Sequence, residues 1–253
     1  MEKIAAYPAA MAITLTSLGG ARTVTGSRHL IDTGRSRILI DCGLHQEREL
    51  MERNWDRFPI PPSSIDAVVL THGHLDHCGW LPRLVMQGFQ GRVFATAPTA
   101  DIVPIILADA ARLQVEDAEN KRKRHQREGK RKEHGYQPLY DEADAERACR
   151  LLQPCAFDAP IAVSPGISVT FRRAGHIIGA ANVLAECVAG AQRRRVLFSG
   201  DLGVMNRPLM PDPAPAPACD AVVVESTYGD RLHATGGDLQ AQLADVVNET
   251  VQR

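Results

Sequence analysis

Three of the chain's nine histidines and one carboxylate fall within six positions, His72-Gly73-His74-Leu75-Asp76-His77. This stretch constrains the fold strongly, because so many imidazoles and an acid can share one point on few backbones. Ile65 to Leu70 is apolar and reads as a buried strand, and Gly79 to Met86 reads as the start of a helix. At an extended strand end, His72 and His74 point to the same side. The chain then turns and presents Asp76 and His77 from a helix N-terminus. One short connection thus aims four ligands at one place. Mixed imidazole and carboxylate donors suit Zn²⁺, with Fe and Mn less well matched. The plain alternative is a polar loop of solvated histidines.

Four more apolar strands run into residues of ligand or acid type. Ile38-Leu39-Ile40 stops at Asp41, and Phe171 to Ala174 leads to Gly175-His176. Val196-Leu197-Phe198 leads to Ser199-Gly200-Asp201, and Val222-Val223-Val224 leads to Glu225. Sites are commonly built at strand ends along one sheet edge. Singly, Asp41 or Asp201 would serve as a turn or cap residue. His176 alone would be a hydrogen-bonded core histidine, and Glu225 a solvated strand end. Their repetition supports a functional reading.

With 253 residues, 44% of them hydrophobic, the chain can pack one large or two small domains. A net charge of −1 exerts no global pull on nucleic acid. No apolar run reaches bilayer length, and Met1-Glu2-Lys3-Ile4 lacks the layout of a secretory signal. The expectation is a cytoplasmic protein with no membrane partner. Six cysteines without CxxC spacing read as reduced thiols. Cys42 and Cys78 adjoin Asp41 and His77; they read as small buried side chains, or as a spare thiolate beside a metal.

Strands are predicted at Ala12 to Leu18, around His29 to Ile31, at Ile38 to Ile40 and at Val93 to Ala95, with a hairpin turn at Thr33-Gly34-Arg35. Helices are predicted at Leu81 to Gln87, at Asp101 to Glu119 with Pro104 in its first turn, and at Asp141 to Leu152. Strands return at Ile161 to Val163, Ile167 to Phe171, Ala181 to Val188 and Arg195 to Phe198, and Gly237 to Arg253 is helical again. This order suggests two packed sheets with helices outside. Pro208 to Pro217 reads as an extended, semi-rigid connection. Lys121 to His134 holds eight Lys or Arg against two Glu. It is either a solvated arm or a contact to a phosphate backbone. No aromatic interleaves with it, which argues against base stacking there.

Taken together, HGHLDH after a strand, with Asp41, His176 and Asp201 each following another strand, resembles the metallo-β-lactamase superfamily. Within it, Thr23-Val24-Thr25-Gly26-Ser27 and Glu225-Ser226-Thr227-Tyr228-Gly229-Asp230 are similar to stretches of the β-CASP ribonucleases. That branch includes bacterial RNA nucleases and the pre-mRNA cleavage endonuclease. The similarity runs from Ile13 to His233.

The resemblance implies an α/β fold, a metallo-β-lactamase-like αββα sandwich incomplete at its C-terminal side, with two Zn²⁺ ions. His72, His74 and His176 would hold one ion, Asp76 and His77 the other, and Asp201 would bridge them. Asp41 would orient the site from behind. Glu225 matches an acidic motif that helps the leaving group depart. His29 and His45 match no ligand position and are expected at the surface or in hydrogen bonds. The family interrupts its sandwich with a second domain. Residues 1–235 would then be the front portion of the metal-binding domain, and 236–253 the start of a helical segment leading into an absent β-CASP domain. Glu225's histidine partner and the last ligand of the second zinc would lie beyond residue 253, leaving that ion weakly held.

The function implied is zinc-dependent hydrolysis of RNA phosphodiesters, with Asp76 and Glu225 catalytic and RNA as the partner. One rival is hydrolysis of a small ester, thioester or lactam on the same metals. Another is a non-catalytic RNA-binding fragment. Pairing into a homodimer is left open.

Overall fold

Short apolar segments broken by turns assemble into two sheets in the computed structural model, which describes residues 12–128, 136–231 and 238–252. The first sheet runs β1 (Thr14–Gly19), β2 (Arg28–Asp32), β3 (Arg37–Ile40), β4 (Ala67–Val69), β5 (Arg92–Thr96) and β6 (Leu152–Cys155), in that spatial order. The first three strands pair antiparallel and the last four parallel. Ile38 to Ile40 and Ala67 to Val69 are wholly buried. Such unbroken apolar runs are what strands covered on both faces require.

The helices α1 (Leu75–Cys78), α2 (Leu81–Met86), α3 (Ala97–Glu128) and α4 (Glu142–Cys149) contribute to the core on one face of this sheet. Leu39, Val68 and Val93 pack there with Trp80, Leu84, Leu107 and Tyr140. On the opposite face, Ile38, Ile40, Val69 and Phe94 meet Val169, Phe171, Val183 and Phe198. Those partners belong to the second sheet, ordered β11 (Ala221–Val223), β10 (Gln192–Phe198), β9 (Ala181–Ala189), β8 (Ile167–Arg173) and β7 (Ile161–Ser164). The alternation of buried and part-exposed residues along β8 is that of a strand with one face in the core. The outcome is the α/β sandwich expected. Helix α5 (Leu239–Val251) is capped by Asp238, is exposed along its described length and contributes no described residue to either core cluster.

Three elements differ from the sequence expectation. Helix α3 starts at Ala97, so Pro104 lies inside the helix rather than in its first turn. It also runs past Glu119 to Glu128, so the first half of the basic segment is helical; residues 129–134 of that segment lie outside the described residues. Strand β6 was not foreseen. Its four residues include Pro154, and parallel pairing with β5 at the sheet edge stabilises what propensity alone would not. Helix α4 is shorter than predicted, because Asp141 and Asp144 form a capping box at its start and it ends at Cys149.

The loops that carry the ligand-type residues are laced together by main-chain bonds. Cys42 N donates to His77 O at 2.7 Å, Leu44 N to Leu75 O at 2.9 Å, and Ser27 N to Asp76 O at 2.9 Å. The approach at Gly43 is so close that a Cβ there would sit 1.6 Å from the Asp76 carbonyl oxygen. Only glycine lets the segment after β3 and the histidine loop lie side by side.

Candidate metal centre

The strand end at Thr71 is tied to both sheets. Leu70 N donates to Phe94 O on β5, and Ala181 N of β9 donates to Thr71 O, each at 2.9 Å. His72 follows, wholly buried, and His74 stands at the N-cap position of α1 with no side-chain cap bond; α1 carries Asp76 and His77. His176 comes from the turn between β8 and β9, and Asp201 from the end of β10. Before Asp201, Gly200 takes φ +54° and passes so close to Thr71 that a Cβ would meet its side chain at 2.8 Å. That crossing brings residues far apart in the chain to one point.

His72 Nε2 lies 3.0 Å from His74 Nδ1, and His176 Nε2 lies 3.2 Å from the same atom. Asp201 Oδ2 is 3.6 Å from His72 Nε2 and 3.4 Å from His176 Nε2. A tetrahedral site with bonds of about 2.0–2.1 Å has edges of about 3.3 Å. The four observed separations bracket that value, and one ligand atom from each residue falls within 4.8 Å of all the others. The chemistry and spacing of these donors are those of a divalent-metal site. A second group adjoins it: His77 Nε2 stands 3.1 Å from Asp201 Oδ1 and 3.8 Å from Asp76 Oδ2. Asp201 therefore turns one oxygen to each group.

The local electrostatics differ between the two groups. Burial holds His72 well below the ordinary imidazole range and lowers His74, the direction that favours the neutral ring ligation needs. Burial also raises the Asp76 carboxyl. Burial alone would push Asp201 up, but the His77 hydrogen bond and the charges of His77, His72 and His176 hold it well below the usual carboxylate range. His77 is the reverse: burial would lower it, yet the Asp41 and Asp201 carboxylates raise it well above normal.

Asp41, buried at the end of β3 with φ +59°, sits behind the site. Its carboxylate accepts from Thr71 N at 2.8 Å, from Thr71 Oγ1 at 3.0 Å, from Ser27 Oγ at 3.2 Å and from His77 Nδ1 at 2.7 Å. Glu225 lies outside the donor cluster. Its Oε1 accepts from Leu202 N at 2.6 Å, and its own N–H donates to Ser199 Oγ at 3.0 Å. It borders an open cleft of about 910 Å³ that His77, Asp41, Asp201, Arg22 and Arg231 also line.

Thr71 and Glu47 were not singled out by sequence. Thr71 adjoins the histidine loop, which was a usable signal; Glu47 had none. Its Oε1 accepts from Val24 N at 2.7 Å and Thr25 N at 3.1 Å, and its Oε2 from the Thr25 hydroxyl. Burial would raise Glu47, but the Thr25 hydroxyl and the loop amides bring it from 4.5 down to about 2. A depressed carboxylate stabilises the fold fully above its unfolded value, and that contribution is lost as pH falls through the folded one. Glu47→Gln is therefore expected to cost about 1 kcal/mol or less at pH 6, since a largely exposed group is screened. Denaturant melts should show the gap from the parent chain closing between the two values just given. A gap independent of pH would contradict this clamp.

His29 and His45 are buried rather than at the surface. His29 Nδ1 shares a hydrogen bond with Ser17 Oγ at 3.0 Å, while the His45 ring packs under Gly26. Cys42 and Cys78 are wholly buried, and burial pushes the Cys42 thiol up to about 12 and Cys78 well above its ordinary value. Neither thiol belongs to the donor cluster described above, and Cys78 Sγ donates to Gly73 O at 3.4 Å, which favours the reading as buried fillers. All six cysteines are free. Among the described residues, no helix is long and apolar enough to cross a membrane.

Comparison with known proteins bears on the same residues. Residues 24–88, which include the histidine loop, match the profile of the metallo-beta-lactamase superfamily. Ribonuclease TTHA0252 of Thermus thermophilus is 34% identical over 239 residues, covering 94% of this chain and 49% of that protein. Transcription termination factor FttA of Methanocaldococcus jannaschii is 30% identical over 247 residues, covering 95% of this chain and 36% of that protein. The chain thus spans about half, or less, of the length of these relatives. Among solved structures, the subclass B3 metallo-beta-lactamase BJP-1 of Bradyrhizobium japonicum superposes with a TM-score of 0.44 at 16% identity, over 80% of this chain and 65% of that one. The profile match over the histidine loop and the sequence identity along nearly the whole chain show that this protein carries a domain of the metallo-β-lactamase superfamily.

Proposed function

We propose that this chain supplies the metal-binding part of a zinc-dependent hydrolase that cuts RNA phosphodiesters. The observation that carries the reading is Asp201, whose two oxygens face two separate groups of ligand-type side chains. His72, His74 and His176 would hold one Zn²⁺, Asp76 and His77 the other, with Asp201 shared. Imidazole and carboxylate donors at this spacing favour zinc. When bound, such a pair supplies a lowered pKa for water and an offset to charge on phosphoryl oxygens. Asp76 would help hold and orient the attacking water. Asp41 fixes the His77 ring through Nδ1 and leaves Nε2 free to ligate. Glu225 is held by the Leu202 amide at the cleft edge, where it can deliver a proton to the leaving oxygen.

RNA is favoured over a small ester because the likeness to a ribonuclease covers 94% of the chain. The similarity of the Thr23–Ser27 and Glu225–Asp230 stretches to the β-CASP branch points the same way. On this reading residues 1–235 are the front portion of the metal-binding domain, and 236–253 lead into a β-CASP domain. The free thiols favour work in the reducing cytoplasm. The test supplies the zinc-loaded protein with single-stranded RNA and, separately, with a thioester. RNA should be cleaved, the thioester should persist, and chelation should abolish cleavage with zinc restoring it. Thioester turnover without RNA cleavage would move the function to small molecules; RNA binding without turnover would leave a binding module. Cleavage indifferent to chelation would overturn the reading.

A further inference from the structure

Helix α3 does more than cover the first sheet. Ile106, Asp109 and Leu113 wall a depression of about 410 Å³ beside His74 and Asp76, so this stretch of the helix borders the metal centre. The same helix ends in Lys121, Arg122, Lys123, Arg124 and Arg127, all exposed. Eighteen residues make five turns of α-helix, about 27 Å of length, and return to the same angular position. Arg124 lies eighteen residues after Ile106, and Arg127 eighteen after Asp109. Both arginines therefore stand on the face that walls the depression. Lys123 flanks them, and Pro104 lies before this span rather than within it.

The helix dipole does not account for these cations. Its preference for positive charge fades within the last turn, which leaves Lys123 and Arg124 unexplained. The acids on the intervening face are already engaged. Asp109 and Glu116 bind Arg112 at 2.5 and 3.0 Å, and Asp117 faces Lys121 at 3.5 Å. His125 is held by Tyr136 at 2.8 Å on another face. Lys123, Arg124 and Arg127 have no ion-pair partner among the described residues.

We propose that Lys123, Arg124 and Arg127 form a backbone-binding rail for single-stranded RNA, in line with the metal centre and about 16 Å beyond Leu113. This rests on the RNA reading above and adds where the strand runs. At ~3.4 Å per stacked nucleotide, the gap corresponds to about five nucleotides. The rail holds phosphates and reads no bases. It lengthens the substrate footprint beyond the site of chemistry.

The experiment measures binding of 5- and 20-nucleotide oligouridine to the zinc-loaded protein over a range of salt, with strand integrity checked on a gel. Replacing all three with glutamine should weaken the 20-mer about tenfold or more and flatten its log–log salt slope by about 2, while the 5-mer is unaffected. Arg124→Lys with Arg127→Lys keeps the charges and should retain the parent slope, which separates a charge effect from misfolding. An unchanged slope, or equal losses on both lengths, would overturn the rail. Polyglutamate of matched length displacing the 20-mer as well as RNA does would also overturn it, in favour of an acidic protein partner. RNA cleavage by the parent protein is scored separately. Cleavage together with an unchanged variant slope fails only the rail, whereas absence of cleavage fails the functional reading.

Discussion

Asp201→Ala is expected to strip the protein of bound metal and bring RNA hydrolysis down to background. The carboxylate faces His72 and His176 with one oxygen and His77 with the other, so its loss disables both groups at once. Losing an outer hydrogen-bond partner of a ligand costs roughly 10–100-fold in metal affinity, and loss of a donor shared by two groups should exceed that. Elemental analysis after dialysis reads the metal, and a gel assay reads the hydrolysis. Glu225→Gln is the informative contrast, since Glu225 lies outside the donor cluster. It should keep its metal while turnover drops by about 10²–10⁴-fold, the range for a lost proton donor. An Asp201→Ala protein with full metal and full rate would end the proposal that this residue joins two ions.

The second large effect lies behind the ligands. In Asp41→Asn the amide oxygen can still accept from Thr71, but its NH₂ then meets His77 Nδ1, which now receives a donor where it gave one. The ring must shift its proton to Nε2, the atom that faces Asp201. Affinity for the second ion should fall about 10–100-fold with the fold preserved. Asp41→Ala goes further, because it strands the raised His77 and the Thr71 amide in a buried place. Its expected cost is about 3–5 kcal/mol in denaturant melts of the metal-free chain. Equal stability of the Asn and Ala variants would show that the charge pair is not what Asp41 contributes.

The legible parts of the site were the local ones. His72, His74, Asp76 and His77 are legible because six residues at a strand-to-helix junction allow few orientations. Asp41, His176, Asp201 and Glu225 stood out because each follows an apolar run that had to be a strand. Glu47 was invisible, since it acts through amides more than twenty residues away. Strand β6 was invisible because its stability comes from a neighbour and not from its own residues. The true length of α3 was obscured because its polar second half carries no apolar period to read.

The order of residues along the chain thus determined which donor types stand at which strand ends, and that both sheets could bury an apolar face. Whether His176 would come within 3.2 Å of His74 across 102 positions was a matter for packing alone. So was the turning of Asp201 towards two groups and the hold of Asp41 on His77. Periodicity is a property of neighbours along the backbone, whereas a separation between two loops is set by every side chain filling the space beneath them.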